Sequence, residues 1–268
     1  MILGRAFHPE PGSSRMRDSG DLVTAERAFR ARPSRNLTYL LRRRYEWCND
    51  FVGMNDDGVE LAAGIGAARD FVRCRSLLLT DIEGGDWLDL AGVDAMATPF
   101  DDDRFDFVLM SNAVHHLANP IRLFDEVSRI LRPGGMFLIR DVKCSLLQRV
   151  AARLTRVEGY DFGVDVWDPA AVLSDPSNPW SANNAVPDLL FDDISTFERR
   201  VPAFEVVYHR YDECLLFLNS GGVTHKTASL PLPELGLRGL QAVDAVLTRL
   251  LPGTFAMQRS VALRLRPV

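Results

Sequence analysis

The sequence predicts an α/β fold, a mostly parallel, doubly wound sheet of seven strands with helices on both faces. Three observations carry that expectation. Short, nearly continuous apolar runs alternate with stretches of helical periodicity, as in strands buried on both faces. The first run leads into a glycine-rich turn, "VELAAGIG" (Val59–Gly66). The best amphipathic helix of the chain starts at Asn119-Pro120 and stops at "RPGG", so its ends are written in the sequence.

In chain order, residues 1–35 are rich in Arg, Ser, Pro and Gly and read as an N-terminal arm, in which only "LVTAERAFRA" suits a helix. Leu37, Leu40, Leu41, Tyr45, Cys48, Phe51 and Val52 then recur at helical spacing, with Arg42–Arg44 expected on the solvated face. Strands are expected at "GVELA", "SLLLTDI", near Gly92–Val93, "FDFVLM" and "MFLIRD", and "AARDF" after the glycines should open a helix. The Asn119 helix buries Ile121, Phe124, Val127, Ile130 and Leu131, and Arg122/Glu126 and Asp125/Arg129 are spaced as i,i+4 ion pairs. After Asp141 a helix is expected through "LLQRVAARLTRV". Glu158–Pro187 is loop-like and too long for a bare connection. "AFEVVYHRY" and "FAMQRSVALRLR" are the last strands, flanking the helical "LGLRGLQAVDAVLTRLL". The chain divides into the arm, 1–35, and one domain, 36–268, with 158–203 inserted as a lid over the acceptor.

The composition is 47% hydrophobic and 25% charged over 268 residues, ordinary for a globular chain. A formal net charge of -5 argues against nonspecific nucleic-acid binding. The four cysteines, Cys48, Cys74, Cys144 and Cys214, are scattered, which fits a reducing compartment better than a disulfide framework or a zinc site. "MILGRAFHPE" has no signal-peptide core and no run of about 18 apolar residues exists, so a cytoplasmic protein without membrane insertion is expected.

A glycine turn after a first parallel strand is a ligand loop, because missing side chains let the backbone touch the ligand. The dinucleotide pattern G-x-G-x-x-G counted from Gly64 would need glycine where Arg69 stands, which weakens a nicotinamide or flavin reading. "VELAAGIG" instead resembles the first motif of class I S-adenosylmethionine-dependent methyltransferases, an acidic residue before G-x-G-x-G, with Ala62 in place of the first glycine. Asp81 in "LLLTDI", the Asp-Ala pair in "VDAMATPFDDDRFDFVLMSNAVHHL" and "LRPGG" are similar to the family's later motifs, in family order. The resemblance, to the type 11 branch, implies a Rossmann-like fold and S-adenosyl-L-methionine as cofactor. It implies that Glu60, Ala62, Gly64 and Gly66 lie along the cofactor and that Asp81 accepts from the ribose hydroxyls. Asp94 and Ala95 would read the adenine, and Ser111 and Asn112 would lie beside the sulfonium. Only twelve residues separate Asp81 from Asp94, too few for the family's usual helix, so the adenine side is expected to be open or covered by the arm.

Methyl transfer to a hydroxyl benefits from a base. His116 is the first candidate, His115 the second and His225 in "GGVTHK" the third, with Asp161 as a fallback. Asp101–Asp103 read as a solvated turn, and no metal site is expected. Tyr160, Phe162, Trp167 and Trp180, with Asn183 and Asn184, suit a polyhydroxylated acceptor. "NPWSANNAVPDLLF" also loosely resembles uncharacterised bacterial methyltransferases encoded with surface-polysaccharide or secondary-metabolite genes. The expected function is O-methylation of a glycan precursor or small secondary metabolite. The alternative is a methyltransferase-fold binding protein without catalysis.

Overall fold

A computed structural model describes residues 4–10, 12–16 and 21–267, and the rest of the expected arm lies outside the described residues. Strand β1 (Ala6–Phe7) is followed by helices α1 (Leu22–Ala31) and α2 (Arg35–Glu46). Then come β2 (Asp57–Leu61), β3 (Ser76–Asp81), β4 (Leu90–Ala91), β5 (Phe105–Ser111), α3 (Pro120–Ile130), β6 (Leu131–Val142) and α4 (Leu146–Thr155). The chain closes with β7 (Tyr160–Asp161), α5 (Val186–Phe191), α6 (Ile194–Arg200), β8 (Phe204–Asp212), α7 (Leu215–Leu218), α8 (Glu234–Leu250), α9 (Pro252–Phe255) and β9 (Gln258–Leu265).

Seven strands form one sheet in the order β4-β3-β2-β5-β6-β9-β8. The four pairs from β4 to β6 are parallel, and β9 pairs antiparallel with β6 and with β8. Both faces are dry, which is why β5 reads as a continuous apolar run. Val108 and Met110 join a core with Phe124 of α3, Phe191 of α5 and Phe197 of α6. Phe107 and Leu109 face the other way, onto Phe29 of α1 and Leu41 and Tyr45 of α2.

The second face departs from expectation. "AARDF" forms only a 3-10 turn, Ala67–Asp70, and no helix lies between β3 and β4 or between β4 and β5 among the described residues. Helices α1 and α2, from before the first strand of the sheet, cover that face instead. The third strand falls at Leu90–Ala91 rather than Gly92–Val93. The "RPGG" segment does not lie outside β6 but bulges within it, with Phe105 opposite Leu131 and Phe107 opposite Met136. Asn119 caps α3 as expected, accepting from the amides of Ile121 (3.1 Å) and Arg122 (3.4 Å). The ion pairs on α3 differ: Arg129 reaches Glu126 at i−3 and Asp102, not Asp125.

Arg44 is also unlike its two neighbours. It is buried and forks onto Glu213, which in turn pairs with the buried Arg140. Helical phase explains this, since Arg44 lies three residues after Leu41 on the apolar stripe. The segment 158–203 splits in two. Residues 158–185 are mostly irregular, whereas α5 and α6 belong to the main core. The arm is stitched to the first part, with Ala6 opposite Asp161 and Phe7 opposite Tyr160. Among the described residues no helix is long and apolar enough to cross a membrane.

Candidate active site

Parallel strands all point their carboxyl ends to one edge, and a cavity of about 750 Å³ opens there. Ala62–Ile65 after β2, Asp81 ending β3, Asp94 and Ala95 after β4, and Ser111 and Asn112 ending β5 all line it. His115, His116 and His225 line the same cavity, as do Glu158 and Trp180.

The glycine turn is pinned from both sides. The Gly64 amide donates to Asp81 Oδ2 (2.9 Å), and the Trp87 indole donates to the Gly64 carbonyl (2.8 Å). Asp81 Oδ1 accepts from the Glu83 amide (3.0 Å), so each carboxylate oxygen keeps a further acceptor position. A Cβ at Gly64 would meet only Leu22, 4.0 Å away, across open space. Gly66 serves differently. It does not line the cavity, and a Cβ there would crowd Leu79 (2.9 Å) and Trp87 (3.0 Å), so this glycine is needed for packing. Glu60 also lies beneath the cavity rather than in its wall. Neither of its oxygens makes a well-formed hydrogen bond. Burial raises its pKa well above the ordinary value; the Tyr45 hydroxyl opposes this, and the Asp81 charge adds to it.

At the other end, the turn after β5 presents the paired histidines. The β5–β6 register sets Ser111 beside Arg140, so Asp141 comes next to the turn. Its Oδ2 accepts from the amides of Ala113 (3.2 Å) and Val114 (2.8 Å), and its Oδ1 meets His115 Nδ1. His115 Nε2 lies 3.6 Å from Glu158 Oε2. Burial works to lower the pKa of His115, but Asp141 and Glu158 outweigh it and raise it to about 10. Burial and the neighbouring His115 lower that of His116 to about 4. His116 Nδ1 faces the Ser181 carbonyl (3.0 Å), which leaves Nε2 toward Glu158 Oε1 at 3.8 Å. Glu158 is held down at about 2, burial being overcome by the two imidazoles and Asn184.

His225 also lines the cavity, on a turn that needs Gly222, where a Cβ would strike the His225 carbonyl. Asp161 does not line the cavity; its carboxylate pairs with His8 at 3.4 Å. The carboxylate facing the imidazoles is Glu158, which sequence reasoning missed. Of the four insertion aromatics only Trp180 lines the cavity. Tyr160 and Phe162 pack with Phe7 and Cys144, and Trp167 joins the core beside Phe197. Asn183 is spent on the backbone of Asp161 and Ala185, whereas Asn184 lines the cavity.

Residues 62–139 match the family model of a methyltransferase domain. This segment is similar to a methyltransferase domain. Over 97 residues the chain is 31% identical to a demethylmenaquinone methyltransferase of Clavibacter sepedonicus, covering 36% of this chain and 37% of that protein. Over 56 residues it is 45% identical to the phthiotriol/phenolphthiotriol dimycocerosates methyltransferase of Mycobacterium tuberculosis, covering 21% of each. The chain thus aligns with well under half the length of these curated relatives. A SAM dependent methyltransferase from Archaeoglobus fulgidus has the same fold, with a TM-score of 0.52 and 17% identity over 89% of this chain and 97% of that one.

S-adenosylmethionine is the cofactor of such a methyltransferase domain. The residues present fit it. The cavity offers a backbone cradle at Gly64 that a side chain would fill and two carboxylates after strand ends at Asp81 and Asp94, with a buried carboxylate, Glu60, beneath the turn.

Proposed function

We propose that the chain transfers a methyl group from S-adenosylmethionine to a hydroxyl of a small molecule with a largely apolar body. The single observation behind this is one continuous cavity that runs from the glycine turn and Asp81 to His116, His225 and Trp180. When bound, the cofactor supplies an electrophilic methyl carbon on a sulfonium. Asp81 accepts from vicinal hydroxyls through its free acceptor positions, Asp94 and Ala95 line the base's end, and Ser111 and Asn112 line the passage between the two ends. His116 directs Nε2 to the acceptor end of the cavity, beside Glu158, where the acceptor oxygen is activated. Residues 158–185 act as a lid that excludes water while nucleophile and methyl are held in attack geometry.

The acceptor wall supports the apolar body. Val142, Ala151, Ala152, Val157, Phe217 and Met257 line it, and three of the four aromatics that suggested a sugar pack into the fold instead. The relatives named for demethylmenaquinone and for phthiotriol dimycocerosates, a quinone precursor and lipids, agree with that choice.

Calorimetry with S-adenosylhomocysteine tests the cofactor end. Wild type should bind in the micromolar range, and Asp81→Asn, which keeps the shape but loses the charge, should bind about 1.5–3 kcal/mol more weakly. Equal affinity in the two proteins would remove Asp81 from the site. Turnover with a naphthoquinol, a long-chain phenol and a free hexose tests the acceptor end. Methylation of the hexose alone would overturn the apolar assignment, and binding without turnover on any acceptor would leave the catalytically inactive binding protein.

A further inference from the structure

The acceptor end of the cavity holds an arrangement that methyl transfer does not by itself require. Three ligand-type atoms converge there, one each from His115, His116 and Glu158, all within 4.8 Å of one another. His115 Nε2 lies 3.6 Å from Glu158 Oε2, and His116 Nε2 lies 3.8 Å from Oε1. Direct N–H···O bonds are about 2.7–3.2 Å, so these contacts are too long for hydrogen bonds. Ligands at about 2.0–2.2 Å from a tetrahedral ion lie roughly 3.3–3.6 Å apart, so the gaps to Glu158 are already close to that span, and separations of up to 4.8 Å must contract to close the three around one ion.

The outer contacts match the same purpose. Ring nitrogens that do not face Glu158 are both engaged: His115 Nδ1 by Asp141, and His116 Nδ1 by the Ser181 carbonyl at 3.0 Å. Each engagement fixes an imidazole with its Nε2 directed at the same point, the usual outer support of a metal-bound histidine. Asp141 is itself locked by the amides of Ala113, Val114 and Val142. Asn184, which lines the cavity beside Glu158, is 1% exposed, and neither of its amide atoms makes a well-formed hydrogen bond.

We propose that His115, His116 and Glu158 bind one divalent transition-metal ion at the acceptor end of the cavity. Two imidazoles with a carboxylate suit zinc, cobalt or iron(II), whereas magnesium and calcium take oxygen ligands. The protein supplies three ligands, so the ion keeps an open position toward the cavity. Resting on the methyl-transfer reading, that position takes the acceptor's oxygen: its hydroxyl proton leaves to water and the oxygen is held as a nucleophile. The oxygen–carbon bond then forms as the carbon–sulfur bond breaks, the electron pair staying on sulfur.

The test is calorimetry of the chelator-stripped full chain with Zn²⁺, Co²⁺ and Mg²⁺. Wild type should bind one Zn²⁺ or Co²⁺ per chain. His116→Ala and Glu158→Gln should each bind at least about 100-fold more weakly while keeping the near-ultraviolet dichroism of wild type. These two sites are chosen because loss of His115 would strand Asp141 in the interior. Zn²⁺ affinity in the double variant equal to that of wild type would overturn the proposal, as would Mg²⁺ binding as tightly as Zn²⁺. S-adenosylhomocysteine is titrated on the same samples. Loss of its binding with Zn²⁺ binding intact strikes the cofactor reading alone, and the reverse pattern strikes the metal site alone.

Discussion

Ala62 stands where the backbone has φ +55°, a left-handed conformation that costs an alanine roughly 1–2 kcal/mol. The strain comes from the dihedral and not from lack of space, so the residue type alone does not reveal it. Ala62→Gly should therefore raise the free energy of unfolding by about 0.5–1 kcal/mol after the added entropy of the unfolded chain is subtracted, read from urea titration. The two true glycines of the turn divide their labour. Both have positive φ, but only Gly64 opens onto the cavity. Gly66→Ala should lower the melting temperature more than Gly64→Ala, because it also drives Leu79 and Trp87 apart. Gly64→Ala should give the larger loss of S-adenosylhomocysteine affinity per folded molecule. The opposite ranking on both measurements would exchange the two roles. His116→Ala should keep that affinity and lose about 10²–10⁴-fold in turnover.

Among elements, those delimited by local signals were legible. The Asn-Pro start of α3, the amphipathic stripe of α2 and the apolar runs of β3 and β5 are all written within a few residues. The helix expected after the glycines failed because α1 and α2 already occupy the face it would cover, a long-range fact that "AARDF" does not carry. The same distinction runs through the site. Asp81, Asp94 and the histidine pair are marked by position at strand ends. Asp141 could have been found by extending the parallel β5–β6 register one step past Ser111, whereas nothing near Glu158 sets it apart. Asn119 ties two elements together, capping α3 with its oxygen and donating to the carbonyls of Pro169 (2.9 Å) and Ala171 (3.2 Å). Asn119→Ala should cost about 1–2 kcal/mol for the cap. It should also speed amide exchange at Ala171–Leu173 more than in the middle of α3, measured by hydrogen–deuterium exchange.

At the scale of the whole molecule, a buried charge network joins α2, β6 and the end of β8. Glu213 lies between Arg44 and Arg140, and Arg140 also holds Asp212. Burial pushes the Glu213 pKa up, but the two guanidinium groups prevail and hold it below its ordinary value of 4.5. The folded state therefore binds this proton less readily than the unfolded chain. The stabilisation is complete above pH 4.5 and is lost as pH falls through the lower folded value. Glu213→Gln, which leaves two buried cations with one partner, should cost about 3–5 kcal/mol at neutral pH. The gap in stability between variant and wild type should shrink steadily below pH 4.5; a gap that stayed constant would mean that Glu213 does not titrate in this way. The pairing of Ala6–Phe7 with Tyr160–Asp161 has a different kind of consequence. The two segments lie about 150 residues apart in the chain, so during synthesis Ala6–Phe7 has nowhere to dock until Tyr160–Asp161 have emerged from the ribosome. The earlier-made strand must wait for its partner, and a nascent chain halted before Tyr160 would leave Ala6–Phe7 open to proteases.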